Sequence, residues 1–322
     1  MTRTSTIAVV AGALGALLLV AALRKSVLGV MVGAMLSPLP LAMVIFSFGV
    51  VYLPLTVFAG VVTVTVVSGS FSLAAVYLAV DAAPVALLSR LGLAAMVAGS
   101  KPIDGAALGR SVCWLVLVAF AAVVTGLALM SAGADGIEAT LRARLEAILP
   151  ALPQATAGAE PGINFTAARA EVMRSMAGLL PGIAAWDWCL RALISVGLGQ
   201  LLLTKMNLAM WPTPAYRQFA LPQWFFALFG AAAVAATALK NDAGFIAGNA
   251  AAILGLPLVL QGLAVVHYAA ARVRYRLAWL ALFYAVALAT ANIFSVLLVG
   301  LGVMDNFLQI RARYLTPRTG GE

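Results

Sequence analysis

Nine stretches, at about 5–23, 27–48, 50–67, 71–97, 112–130, 178–203, 221–239, 244–270 and 277–303, are almost wholly apolar. Each reaches or approaches the ~20 residues a helix needs to cross a hydrocarbon core. Water is a poor solvent for such a chain: 64% of it is hydrophobic and 10% charged, against roughly 25% charged residues in an ordinary soluble domain. The expected fold is therefore all-α, a polytopic transmembrane helix bundle of eight or nine spans. It forms a single integral membrane domain over 1–322, with an amphipathic polar insertion at about 131–177.

The count depends on the second run. Ser37-Pro38-Leu39-Pro40 places two prolines in three residues, removing two backbone donors and crowding the preceding turn. Irregular backbone at membrane depth is tolerated only where protein or a water-filled cavity surrounds it. So "MLSPLP" is either a re-entrant element or a loop between short spans. A similar break is expected at Asp81-Ala-Ala-Pro84. The first run has a short basic start like a signal peptide, but Arg24-Lys25 follows where a cleavage site would lie, and it reads as a retained helix.

The basic excess, 20 Lys plus Arg against 11 Asp plus Glu, does not indicate nucleic acid. The cations sit singly or in twos and threes between apolar runs, as membrane-flanking anchors do. With nine spans, the nineteen other than Arg191, which lies inside a span, divide nine to ten between the two sides, so orientation stays open. The expected partners are the lipid bilayer and another membrane protein, with no nucleic acid.

In the polar insertion, Ile137, Leu141, Leu145 and Ile148 recur at helical spacing, with Asp135 as a plausible N-cap. This predicts an amphipathic helix on the membrane surface or on the bundle. A linker follows at 150–162, and a second helix is expected from Asn164, where Asn164-Phe165-Thr166 reads as a cap rather than a glycosylation acceptor.

Catalytic equipment is sparse: one histidine, two separated cysteines and scattered carboxylates, with no HExxH, GxSxG or Walker loop. The chain reads as a non-enzyme, and no cofactor or metal is expected. Cys113 and Cys189 read as packing residues. Ionisable groups inside spans invite a functional reading because an unpaired charge there costs a few kcal/mol or more. Asp81, beside Pro84, marks either a partly unwound polar spot or a helix end at the interface. Asp187 and Arg191 in "WDWCLR" are four apart and read as a structural ion pair flanked by Trp186 and Trp188.

In "GNAAAILGLPLVLQGLAVVHYAA", 248–270, Pro257 should free the carbonyl of Ile253 and leave a polar notch towards Gln261. Either a ligand or a neighbouring helix would meet Gln261. Asn249 and His267 lie ~27 Å apart along that helix and cannot share a small ligand; His267 reads as interfacial. The candidate ligand-notch residues are Asp81, Asn249 and Gln261. Small residues supply the other signal: Ala8, Gly12 and Ala16 recur every four positions, a stripe suited to docking another helix.

"YRQFALPQW" at 216–224, the 248–268 stretch, "GVMDNFLQIRAR" at 302–313 and the early "LSPLPLA" together resemble the YybS-like family of bacterial membrane proteins, the domain of unknown function 2232. The motif positions here are Leu221, Pro222, Asn249, Gln261, Gly262, Gly302, Asp305 and Arg311. That family is distantly similar to the substrate-binding membrane subunits of energy-coupling-factor transporters. The similarity implies a small molecule bound among the helices, a separate ATPase, and docking through the Ala8, Gly12 and Ala16 stripe. A membrane scaffold or assembly factor, acting through helix faces and the amphipathic segment, is the alternative.

Overall fold

A computed structural model of the chain describes residues 2–22, 33–97, 105–130, 136–148, 177–213 and 216–313. Among these, every regular element is helical. The main helices are α1 (Arg3–Ala22), α2 (Leu39–Phe48), α3 (Leu53–Ser68), α4 (Phe71–Tyr77), α5 (Ala83–Val97), α6 (Gly105–Met130) and α7 (Ile137–Ile148). They continue with α8 (Leu180–Lys205), α9 (Gln223–Ala238), α10 (Asn241–Ala270), α11 (Arg276–Ala289) and α12 (Ala291–Leu308).

Five helical stretches are long and apolar enough to cross a membrane: Arg3–Ala22, Val50–Ser68, Phe71–Leu91, Gly105–Leu129 and Asn241–Ala270. Four more are apolar but shorter, at Ala34–Phe48, Gln223–Ala238, Arg276–Ala289 and Ile293–Leu308. The sequence explains the shortening. Around Ser37-Pro38 the chain makes a turn between a three-residue helical piece, Ala34–Leu36, and α2. Gly49, at φ +93°, then ends α2, a conformation that costs glycine little because it has no Cβ. Gly69, at φ +66°, ends α3 in the same way, and the Ser70 hydroxyl accepts from the Leu73 amide to start α4. The apolar runs marked the helices well but joined pieces that proline and glycine separate.

The contacts divide the chain into two compact units. The first comprises Met1–Leu115, Asp187–Pro222 and Pro257–Glu322; the second comprises Val116–Trp186 and Gln223–Leu256.

In the first unit α1 packs on α3, and the small-residue stripe forms the seam. Ala8, Gly12 and Ala16 are buried, and a Cβ at Gly12 would collide with the Thr56 carbonyl of α3. The stripe therefore serves close approach inside the chain. As a docking face for another protein it is already occupied. A core of Ala16, Leu19, Val20, Val64, Ala74 and Tyr77 continues the seam, and a second core joins Leu41, Ile45, Leu53 and Val85.

In the second unit the first half of the amphipathic helix α7 packs on protein. Ile137 is buried with Leu127 of α6 and Phe245 of α10, and Leu141 lies against them. The Ile137 amide donates to the Asp242 carboxylate at 2.9 Å, so the cap comes from 105 residues away. The expected cap Asp135, the linker at 150–162 and the helix expected from Asn164 lie outside the described residues.

Candidate functional site

Pro84 cannot donate a backbone hydrogen bond, and immediately before it α4 passes through a π turn, Leu78–Ala82, into α5. Asp81 sits in that turn and is completely buried. Its Oδ1 accepts from Arg191 Nη2 of α8 at 2.9 Å. The same guanidinium donates through Nε to the Ala34 carbonyl at 3.0 Å, and through Nη2 to the Ser37 hydroxyl at 3.3 Å. Nearby, Ser195 donates to the Met35 carbonyl at 2.9 Å and Trp188 Nε1 to the Ala79 carbonyl at 3.1 Å.

One face of α8 thus supplies donors to both irregular segments, the "MLSPLP" turn and the π turn. Backbone carbonyls released by such breaks find no water at membrane depth, so protein donors replace it. The expected Asp187–Arg191 pair is corrected here. Asp187 is exposed, and Arg191 turns to Asp81, where its charge is needed against a buried carboxylate. The Oδ2 of Asp81 is buried and has no hydrogen-bond partner among the described residues.

The family-motif residues other than Asn249 come together at a second place in the first unit. Gln261 is 2% exposed. Its Oε1 accepts from the Leu221 amide at 3.0 Å, while Nε2 donates to the Gly302 carbonyl at 3.2 Å and to Asp305 Oδ2 at 3.3 Å. Asp305 in turn accepts from Arg311 Nη2 at 2.6 Å and Nε at 3.0 Å, and Arg311 Nη1 donates to the Arg217 carbonyl at 2.7 Å. Gly262 and Gly302 let α10 and α12 cross at backbone contact. A Cβ on the first would strike the Leu298 carbonyl and on the second the Leu258 carbonyl. Pro222 follows Leu221 and leads into α9.

The polar notch expected below Pro257 is absent. Helix α10 runs unbroken through the proline, and Ile253, Leu254, Leu256 and Leu258 are all at most 1% exposed. A neighbouring helix, and no free space, meets Gln261. In the second unit Asn249 is also committed. Its Oδ1 accepts from the Gly182 amide at 2.9 Å, and its Nδ2 donates to the carbonyls of Gly178 at 2.9 Å and Phe245 at 3.0 Å. Asp81, Asn249 and Gln261 therefore belong to three separate networks. His267 meets the Tyr284 hydroxyl through Nε2 at 2.7 Å.

The open space lies elsewhere, in a cavity of about 420 Å³ within the first unit, walled by α2, α5, α6, α8 and the segment following α8. It falls in the range of roughly 300–1,000 Å³ typical of small-molecule pockets. Its wall is mostly apolar, with hydroxyl or amide side chains from Ser89, Ser111, Gln200, Thr213 and Tyr216. Three are satisfied. Ser111 donates to the Ala107 carbonyl at 3.1 Å, Thr213 pairs with Thr204 at 2.9 Å, and Tyr216 donates to the Leu260 carbonyl at 2.8 Å. Burial pushes the Tyr216 phenol well above its ordinary range, so it stays protonated.

The other two are not satisfied. Gln200 Nε2 donates to the Trp211 carbonyl at 2.7 Å. Its Oε1, and the Ser89 hydroxyl, are buried without a partner among the described residues. Sequence reading passed over both residues. Gln200 in "LGQLLL" and Ser89 in "LLSRL" are isolated polar positions in apolar runs, and that isolation was the one available signal. Among the described residues, no three His, Cys, Asp or Glu side chains gather to hold a metal ion.

A family model described as "Predicted membrane protein (DUF2232)" matches residues 13–306. No curated protein and no solved structure matches the chain.

Proposed function

The chain belongs to the DUF2232 family of predicted membrane proteins, and from that premise we propose a transporter-type substrate-binding subunit of the bacterial cytoplasmic membrane. In this reading the short apolar helices complete a bundle of eight or nine crossings. The subunit binds a small molecule without chemically changing it and relies on a separate ATPase.

One observation carries the reading: a mostly apolar cavity of about 420 Å³ enclosed among the helices of the first unit, within the size range of small-molecule pockets. The stripe buried between α1 and α3 is closed to a docking partner in this reading and in the scaffold alternative alike, so a separate ATPase would have to dock on another face.

Mass spectrometry of organic extracts from the purified full chain tests the proposal, with Gly197→Trp as the control. Gly197 lines the cavity, and a Cβ there meets nothing within 4 Å, so a bulky side chain can be introduced at that wall without its Cβ striking backbone. A small molecule that accompanies the wild-type protein and is lost from Gly197→Trp is the expected result. Equal recovery from both proteins, or none from either, overturns the proposal.

A further inference from the structure

From the way its helix ends gather, we infer that one end of the first unit faces the cytoplasm, and that the last apolar run, α11 with α12, starts and finishes at that same end instead of crossing.

Direct contacts define the end. Helices α1 and α3 run side by side in the same direction: Gly12 lies against Thr56 and Ala59, and Leu19 and Val20 share a core with Val64. The starts of both therefore lie together, with the close of α2. The Met210 amide donates to the Phe46 carbonyl at 3.0 Å, and Gln200 Nε2 to the Trp211 carbonyl at 2.7 Å, which brings the end of α8 and the segment after it to the same place. Tyr216 of that segment donates to the Leu260 carbonyl, and its ring lies 5.8 Å from that of His267 near the end of α10. The loop between α10 and α11 follows directly. Six exposed cations gather here: Arg3, Lys205, Arg217, Arg272, Arg274 and Arg276. At the opposite end of the unit, where Gly33 meets Ala22, the described residues 20–22, 33–36 and 65–75 include no charged side chain.

The last run breaks the tie in the charge count. Taken as one crossing, it puts Arg311 and Arg313 on the side away from Arg217, and the cations divide nine to ten. The chain instead breaks at Thr290 into α11 and α12, of 14 and 18 residues, each short of the ~20 needed to cross. The rings of Phe283 and Phe294 are 4.9 Å apart, whereas the same separation along one helix would rise ~16 Å, so the run folds back on itself. Its far end returns to Arg217, whose carbonyl accepts from Arg311 Nη1 at 2.7 Å. With Arg311 and Arg313 on that side the division becomes eleven to eight, even with Arg318, outside the described residues, still counted against it. Lys and Arg accumulate on the cytoplasmic side of a membrane, beside its anionic leaflet, so this end is the cytoplasmic one. Phe46, Gln200, Trp211 and Tyr216 place the cavity wall towards it, and a cytoplasmic ATPase would meet the unit there.

Single thiols in the full chain test both steps. Cys113 and Cys189 are fully buried, so a membrane-impermeant maleimide should leave the wild-type protein unlabelled in spheroplasts and after lysis alike. Val273→Cys, in the loop between α10 and α11, and Ala312→Cys, next to Arg311, lie at exposed positions and keep every cation. Both should go from no labelling in intact spheroplasts to full labelling after lysis. Ser72→Cys, exposed at the opposite end, should label fully in intact spheroplasts. Labelling in SDS confirms that each thiol is present. Reaction of Val273→Cys in intact spheroplasts, or failure of Ser72→Cys to react there, overturns the orientation. Reaction of Val273→Cys and Ala312→Cys from opposite sides overturns the return of the last run. Silence of either after lysis does the same, because that thiol then lies away from water. These outcomes do not change with a molecule in the cavity, so they stand or fall separately from the binding function.

Discussion

Arg191 reaches Asp81 across 110 positions of the chain, with Nη2 donating to Oδ1 over 2.9 Å. Asp81 has no solvent exposure and Arg191 has 8%. The pair sits where two breaks meet, the proline-bound turn at Ser37 and the π turn at Asp81. Each break exposes backbone carbonyls, and the donors that answer them come from one face of α8. The ion pair and the irregular backbone therefore depend on each other.

Removing one partner should be far worse than removing both. Asp81→Ala leaves a buried guanidinium with only neutral acceptors, and Arg191→Met leaves a buried carboxylate; each should destabilise by about 3–5 kcal/mol. The double variant should lose less than the sum of the two single losses. Cys113 and Cys189 are fully buried, so a thiol-reactive dye reports unfolding on heating in detergent without an added label. Single variants that melt with the wild type would show that the pair is not holding the breaks.

Gly262 and Gly302 offer a sharper steric test, because glycines two residues apart on α12 have opposite surroundings. Gly302→Val and Gly262→Val drive a side chain into a backbone carbonyl of the opposing helix, and such overpacking costs ~1–3 kcal/mol or more. At Gly300 a Cβ meets nothing within 4 Å. There Gly300→Ala should be neutral or gain up to about 1 kcal/mol of helix propensity. Equal melting shifts at 300 and 302 would contradict the close crossing of α10 and α12.

The same glycines show how far the sequence could be read. The motif positions Leu221, Gln261, Gly262, Gly302, Asp305 and Arg311 were recognisable as a set, and they do meet in one network. Their role was not legible. A glutamine after a proline in an apolar helix looks the same whether a ligand or another backbone meets it. Spacing also names only neighbours on the same helix. It offered Asp187 to Arg191, while the actual partner lies on a distant segment. The stripe of Ala8, Gly12 and Ala16 announced close packing but not whether the partner was α3 or another protein. Gln200 and Ser89 were invisible for a related reason: having no partner is a property of the folded surroundings and leaves no mark on local pattern.

Asp242 is expected to control the start of α7. Its carboxylate accepts from the Ile137 amide at 2.9 Å, and losing such a cap typically costs ~1 kcal/mol. Asp242→Ala should raise hydrogen exchange through the first turn of α7 severalfold while leaving the α10–α12 crossing unchanged. Asp242→Asn, which keeps an acceptor oxygen, should restore most of the protection. Unchanged exchange at Ile137 and its neighbours in Asp242→Ala would mean that other groups hold that end.

Gln261 distinguishes a structural role from a binding one. As placed, its amide satisfies the Leu221 N–H and the Gly302 carbonyl and touches Asp305. Replacing it with leucine keeps the volume but leaves a donor and an acceptor buried without partners. Each orphaned group costs about 1–3 kcal/mol, so Gln261→Leu should lower the melting temperature clearly. Gln261→Glu should destabilise as well, because it sets a second carboxyl beside Asp305. Neither change should alter recovery of a small molecule that accompanies the purified protein, since Gln261 is not among the residues lining the cavity. A Gln261→Leu protein as stable as the wild type but deficient in ligand would reverse the assignment, making Gln261 the recognition residue and moving the site to the α10–α12 crossing.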